Sequence, residues 1–202
     1  MSSTSLIDIC NISLSHIGQG IEIASLQEES EAAAALNRYY EQTRNIVFGE
    51  FAWPFARTYS YLTLLEDNPN EEWRYAYLYP QECIKISRVL SGIRNDTEHT
   101  RIPYIVSSYL TNKTIMTDKE EASVEYTRLI TDTSRYPAEF IMALSFMLAH
   151  MIAPRITRGN HRTLSSYALS SYNTMIIRAK TIAMVEERPD KRHESTFVQS
   201  RA

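Results

Sequence analysis

The residues that could do chemistry are few and scattered. Two acidic pairs, Glu71-Glu72 and Glu120-Glu121, offer the two carboxylates that glycoside hydrolysis requires. Neighbouring residues of a strand or turn point in different directions. Each pair therefore suits solvated loop charges better than one shared site. The histidines His16, His99, His150, His161 and His193 are dispersed. No two sit four residues apart, and no cysteine or carboxylate cluster has metal-ligand spacing, so no metal or cofactor is expected. His150 lies in an apolar run and reads as a core or interface histidine satisfied by a hydrogen bond. With 5 glycines there is little from which to build a phosphate-cradling loop, and no serine stands in a nucleophile-elbow context. Trp73, Tyr75, Tyr77 and Tyr79 alternate in a row that could stack sugars or bases. The same row suits the core side of a sheet, or an oligomer interface rich in Tyr and Trp. Trp73, Tyr75 and Tyr77 are accordingly the candidate contacts for a partner or a second copy, and no enzyme activity is expected.

The elements that must position these residues centre on the run from Gln27 to Ala56. A long helix is predicted from Glu28 to about Phe51, because apolar residues recur in steps of three and four from Ala32 to Phe51. Ser25 is its expected cap, with Glu28 as the capping-box partner, and Pro54 ends it. Before it, residues Ser5 to Ile17 form a first helix with Gly18 as a left-handed cap. After it the period changes to two. Strands are expected at Thr58 to Leu65, Trp73 to Tyr79, Cys83 to Leu90, Tyr104 to Leu110, Lys113 to Thr117 and Ser123 to Leu129. A turn at Thr111-Asn112 and purely local hairpins would suffice to build the sheet. Helix returns from Tyr136 to Arg158, with Pro137 in its first turn, apolar side chains around nearly its whole circumference, and Pro154 as a kink or end. A last helix runs from Arg162 to Glu187. The expected architecture is α+β: a four-helix bundle (1–56 and 136–187), an inserted antiparallel β module (57–135) between its second and third helices, and an extended C-terminal arm (188–202). Two readings stand for that arm: a frayed end, or a segment that orders on a partner with Phe197 and Val198 as anchor.

Composition narrows the class. The 202 residues fit one domain, or one with an inserted subdomain. The hydrophobic share of 44% and charged share of 22% match an ordinary globular chain. A net charge of -3 argues against tight, nonspecific binding of nucleic acid. Cys10 and Cys83 make no disulfide framework and are expected to fill small apolar sites in a reducing compartment. Residues 1 to 5 carry no basic stretch of the kind that opens a signal peptide. Phe140 to Ala153 reads as a buried helix, too short to span a bilayer, so no membrane is expected as a partner.

Four segments, in order, carry a family resemblance. They are Glu50-Phe51-Ala52-Trp53-Pro54-Phe55-Ala56; Trp73-Arg74-Tyr75-Ala76-Tyr77-Leu78-Tyr79-Pro80 followed by Cys83-Ile84-Lys85; Ile115-Met116-Thr117-Asp118 ahead of Val124-Glu125-Tyr126; and Asp132-Thr133-Ser134-Arg135-Tyr136-Pro137. The last leads into Phe140, Ala143-Leu144, Leu148-Ala149, Ile152-Ala153-Pro154 and Ile156-Thr157. Together, over residues 5 to 185, they resemble the tail tubular protein A family, the head-to-tail connector adaptors of short-tailed bacteriophages. The resemblance implies a structural virion protein at the head-tail junction, assembled in the host cytoplasm. It implies a homo-oligomeric ring, usually of twelve copies, docked below the portal protein and joined to the tail nozzle protein. The ring would continue the channel through which DNA leaves, and a near-neutral chain suits a conduit that must not hold DNA. The alternative class is a virion-associated polysaccharide hydrolase working through the paired carboxylates.

Overall fold

The computed structural model describes residues 4–94, 96, 99–157 and 159–186. The candidate anchors Phe197 and Val198, with the rest of the C-terminal arm, lie outside them. The chain is mixed α+β, with four helices and two small antiparallel sheets.

Helix α1 (Leu6–His16) starts at a reciprocal capping box: Ser5 Oγ accepts from the Asp8 amide, and the Asp8 carboxylate accepts from the Ser5 amide at 2.8 Å. It ends at Gly18, φ +71°, where the Gly18 amide donates to Ser15 O and the Gln19 amide to Leu14 O. That is the Schellman pattern, which needs a residue tolerant of positive φ. Helix α2 (Glu31–Gly49) begins later than its periodicity predicts. Ser30, not Ser25, is the cap, its Oγ accepting from the Ala33 amide at 3.1 Å. Glu28 is drawn away from the helix: its carboxylate accepts from the Ala24 amide at 3.0 Å and from the Ser30 hydroxyl at 2.6 Å. Glu28 thus fastens the preceding loop to the cap.

The handover after α2 is a knot of rings. Trp53 is buried, and its indole N–H donates to Val47 O at 3.0 Å. Phe140 lies edge-on to Phe48, Trp53, Phe55 and Tyr136 with centroids 4.9–5.1 Å apart, the arrangement favoured by ring quadrupoles. Phe140 belongs to helix α3 (Ala138–Ile156), against which α1, α2 and helix α4 (His161–Glu186) all pack. This explains an apolar surface that runs nearly all round α3. By length and composition α3 could also cross a membrane, alone among the described helices. Pro137 occupies the cap position rather than the first turn. Pro154 neither ends α3 nor leaves a bare carbonyl. It lacks the N–H that would meet His150 O, and Ser165 Oγ on α4 donates to that oxygen instead, at 3.3 Å.

Between α2 and α3 lie strands β1 (Arg57–Tyr61), β2 (Tyr75–Leu78), β3 (Cys83–Val89), β4 (Tyr104–Tyr109), β5 (Asn112–Thr117) and β6 (Ser123–Arg128). They form two sheets, ordered β1-β6-β3 and β2-β5-β4. Local hairpins do not build them. Only β4 and β5 pair across a short turn, with Tyr109 opposite Asn112, so the turn residues are Leu110 and Thr111. Leu110 takes the positive φ of +54° that a two-residue hairpin demands. The predicted strand Thr58 to Leu65 is bent. Its first half pairs with β6. Its second half crosses to β2, through a bridge between Leu64 and Tyr77 and hydrogen bonds joining Leu65 to Ala76 and Leu78 to Thr63. A second bridge, Val89 to Ile102, ties β3 to the approach to β4. The six strands so wrap a second core of Tyr77, Ile86, Val89, Ile115, Val124 and Tyr126. Ile84 and Leu129 pack the other way, on the helical core.

Candidate interaction surfaces

The predicted aromatic row turns inward. Tyr77 is 2% exposed; its hydroxyl donates to Lys119 O at 2.8 Å and accepts from the Ala122 amide at 3.4 Å. Its ring and its hydroxyl are both occupied within the chain. Tyr75 is half-buried beside it, centroids 6.3 Å apart, and Trp73 is half-buried in the turn that leads into β2. Strand alternation located these residues on one face; it did not say which face was inside.

The acidic pairs Glu71-Glu72 and Glu120-Glu121 stand in solvent on the turns before β2 and between β5 and β6. The buried carboxylate is a different one. Glu125 on β6 is 6% exposed and held between Arg57 (3.1 Å) on β1 and Arg88 (2.9 Å) on β3. Charges at this depth need such partners, and the trio ties the three strands of one sheet. Among the described residues no group of three or more His, Cys, Asp or Glu is arranged to hold a metal ion.

Two histidines join helices. His150 Nδ1 lies 3.0 Å from Ser165 O and 2.8 Å from Ser165 Oγ. An N–H there donates to both and leaves the hydroxyl proton for His150 O. His16 stacks on Phe146 at 3.7 Å, and its Nε2 lies 3.1 Å from Ser145 Oγ. That hydroxyl already donates to Met142 O at 2.9 Å, so His16 Nε2 carries the proton. Burial holds the pKa of His16 below its ordinary value. The Cys10 thiol is pushed up to about 12 by burial, and Cys83 is raised for the same reason; neither is an activated nucleophile.

Two surfaces escaped the reading of the sequence. The first is the outer face of α4. Tyr167 is exposed, as are Ile177 (65%), Met184 and Val185. Exposed positions 167, 170, 174, 177, 181 and 184 follow heptad spacing. Of the exposed residues from Thr163 to Val185, Arg178 alone is charged. Over its full length α4 exposes Arg162, Arg178 and Glu186 among 14 residues, whereas the shorter α2 exposes Glu31, Arg38 and Glu41 among eight. The scarcity of charge on α4 was visible in the sequence; which stripe faces out was not. The second is a cleft of about 880 Å³ at one end of the β layer, where Lys113, Arg128, Tyr61 and Tyr79 converge. Two nitrogens of the Arg128 guanidinium reach one carboxylate oxygen of Glu82, at 2.6 and 2.8 Å. The Lys113 ammonium lies over the Tyr79 ring, 3.7 Å from its centroid. No family model and no curated protein matches the chain.

Proposed function

We propose that this chain is a structural subunit of a head-to-tail connector: an adaptor whose copies form a ring below a phage portal and join it to the tail nozzle, with DNA passing through unbound. In this reading segments 1–56 and 136–187 make a four-helix bundle that grips the portal and neighbouring copies. The insert 57–135 faces the nozzle, and 188–202 is a portal-binding arm anchored by Phe197 and Val198. The role is assembly rather than catalysis.

The observation that carries the reading is the outer face of α4. A solvent-facing helix is ordinarily rich in charge, whereas the cores of protein interfaces are depleted of it. Over the 23 residues from Thr163 to Val185 α4 exposes a single charge, Arg178, with Arg162 and Glu186 at its two ends, and four large apolar side chains, among them Ile177, stand well out of its surface. The ordered resemblance of four sequence segments to the adaptor family supplies the kind of assembly.

The test is the mass of the complex, by light scattering, after mixing the chain with the portal protein from the same genome. A gain of about one copy per portal subunit is expected. An unchanged portal mass, with both proteins folded, overturns the proposal.

A further inference from the structure

The cleft at the end of the β layer lies within the insert 57–135 and is built from side chains the strand register aims at one place. Opposite residues of an antiparallel pair share a face. Ser60 lies opposite the core residue Val124, and the Tyr79 amide donates to Lys113 O, next in register after Tyr77 opposite Ile115. Arg128 is two residues beyond the inward-facing Tyr126. Ser60, Tyr79, Lys113 and Arg128 therefore all issue from the inner face of the sheets, at the end where the bent strand leaves one sheet for the other. At about 880 Å³ the space is the size of a small-molecule site.

The lining decides the chemistry. Thr63 and Thr111 bring hydroxyl-bearing side chains to the lining. Carboxamides of Gln81 and Asn112 line the walls, and Tyr61, 84% exposed, stands at the rim as a flat apolar platform. Hydroxyl and amide groups around an aromatic face suit a polyhydroxylated ring. The charge adds a requirement. Glu82 is the one carboxylate on the lining and it is engaged by Arg128, whereas Lys113 rests on a ring and makes no ion pair among the described residues. We infer that this cleft binds an acidic saccharide, a uronic-acid-type oligomer whose carboxylate meets Lys113 while a sugar face stacks on Tyr61. With a single lining carboxylate, already paired, the cleft lacks the two groups that hydrolysis requires; it binds without cleaving.

The experiment is calorimetric titration of the full chain with oligogalacturonate, with a neutral malto-oligosaccharide of equal length and with poly-glutamate. Saturable binding is expected for oligogalacturonate, at least about tenfold tighter than for either comparison, and weakened about tenfold by Lys113→Gln. Tyr61→Ala should weaken it as well. Both residues are exposed, so the variants should keep the parent's circular dichroism and melting temperature. Failure of oligogalacturonate to saturate, equal binding of poly-glutamate, or insensitivity to both substitutions overturns the inference.

Discussion

His16 is the residue whose burial has a direct consequence in solution. It lies flat on Phe146 and ties α1 to α3 through Ser145, and in the folded chain burial disfavours its charged form. In the unfolded chain it takes up a proton near the ordinary histidine value of about 6.5. Between that value and its lower folded pKa, the unfolded state binds more protons, so stability rises with pH. The contribution is complete above the unfolded pKa and is lost as pH falls through about 6.5 towards the folded value. His16→Phe keeps the stack and removes the titration. Its melting temperature should therefore drop less than the parent's between pH 7.5 and pH 5.5, as read by circular dichroism; equal drops would refute the assignment. Little of this was legible beforehand, because a histidine on an amphipathic helix carries no mark of what it will stack against. The N-terminal caps were not legible in advance. Ser25 was the cap expected for α2, and Glu28, its expected box partner, bonds backward to Ala24 and leaves the capping to Ser30.

At the scale of elements, the join between α3 and α4 depends on how Pro154 is accommodated. The proline removes one helical donor, and Ser165 restores a partner to His150 O from the neighbouring helix, so a local defect becomes a tertiary link. Ser165→Ala should cost about 1 kcal/mol, a fall of roughly 2–4 °C in melting temperature for a chain of this size. Pro154→Ala supplies an N–H to the same carbonyl, so in that background the serine should matter less. A double-mutant cycle measures the coupling, and strictly additive effects would show that Ser165 does not compensate for the proline. Periodicity foresaw α3, α4 and the proline but not the serine, since the pairing joins residues on different helices. The sheets show the same boundary. The strands were placed near their positions, clean alternation marking β2, and the β4–β5 turn was misjudged by one residue. The pairing of β1 with β6 was invisible because their partners are far apart in sequence, and no turn chemistry announces a long-range pair.

For the whole molecule the question is which surface is left for other molecules once the two cores are closed. Helix α4 has two uncharged stripes. One, through Ala168, Tyr172, Ile176, Ala179 and Ala183, is buried against the rest of the chain; the other, through Tyr167, Ile177 and Met184, is not. A period of 3.6 fits both, so the sequence could not say which was core. The structure separates them, and the separation makes the second stripe testable without harming the first. Ile177→Glu together with Met184→Glu places two charges where the folded monomer leaves the side chains in water, and surface changes of that kind move stability by no more than about 0.5 kcal/mol each. The melting temperature of the isolated chain should hold. Assembly should not, because an unpaired carboxylate driven into an apolar contact costs far more than the contact returns. Sedimentation velocity of the doubly substituted chain with the portal should show the two components travelling apart, while Asn37→Glu on the charged outer side of α2 should co-sediment as the parent does. If the α4 variant co-sediments normally, that face is solvent surface, and the contact with the assembly must be sought elsewhere on the chain.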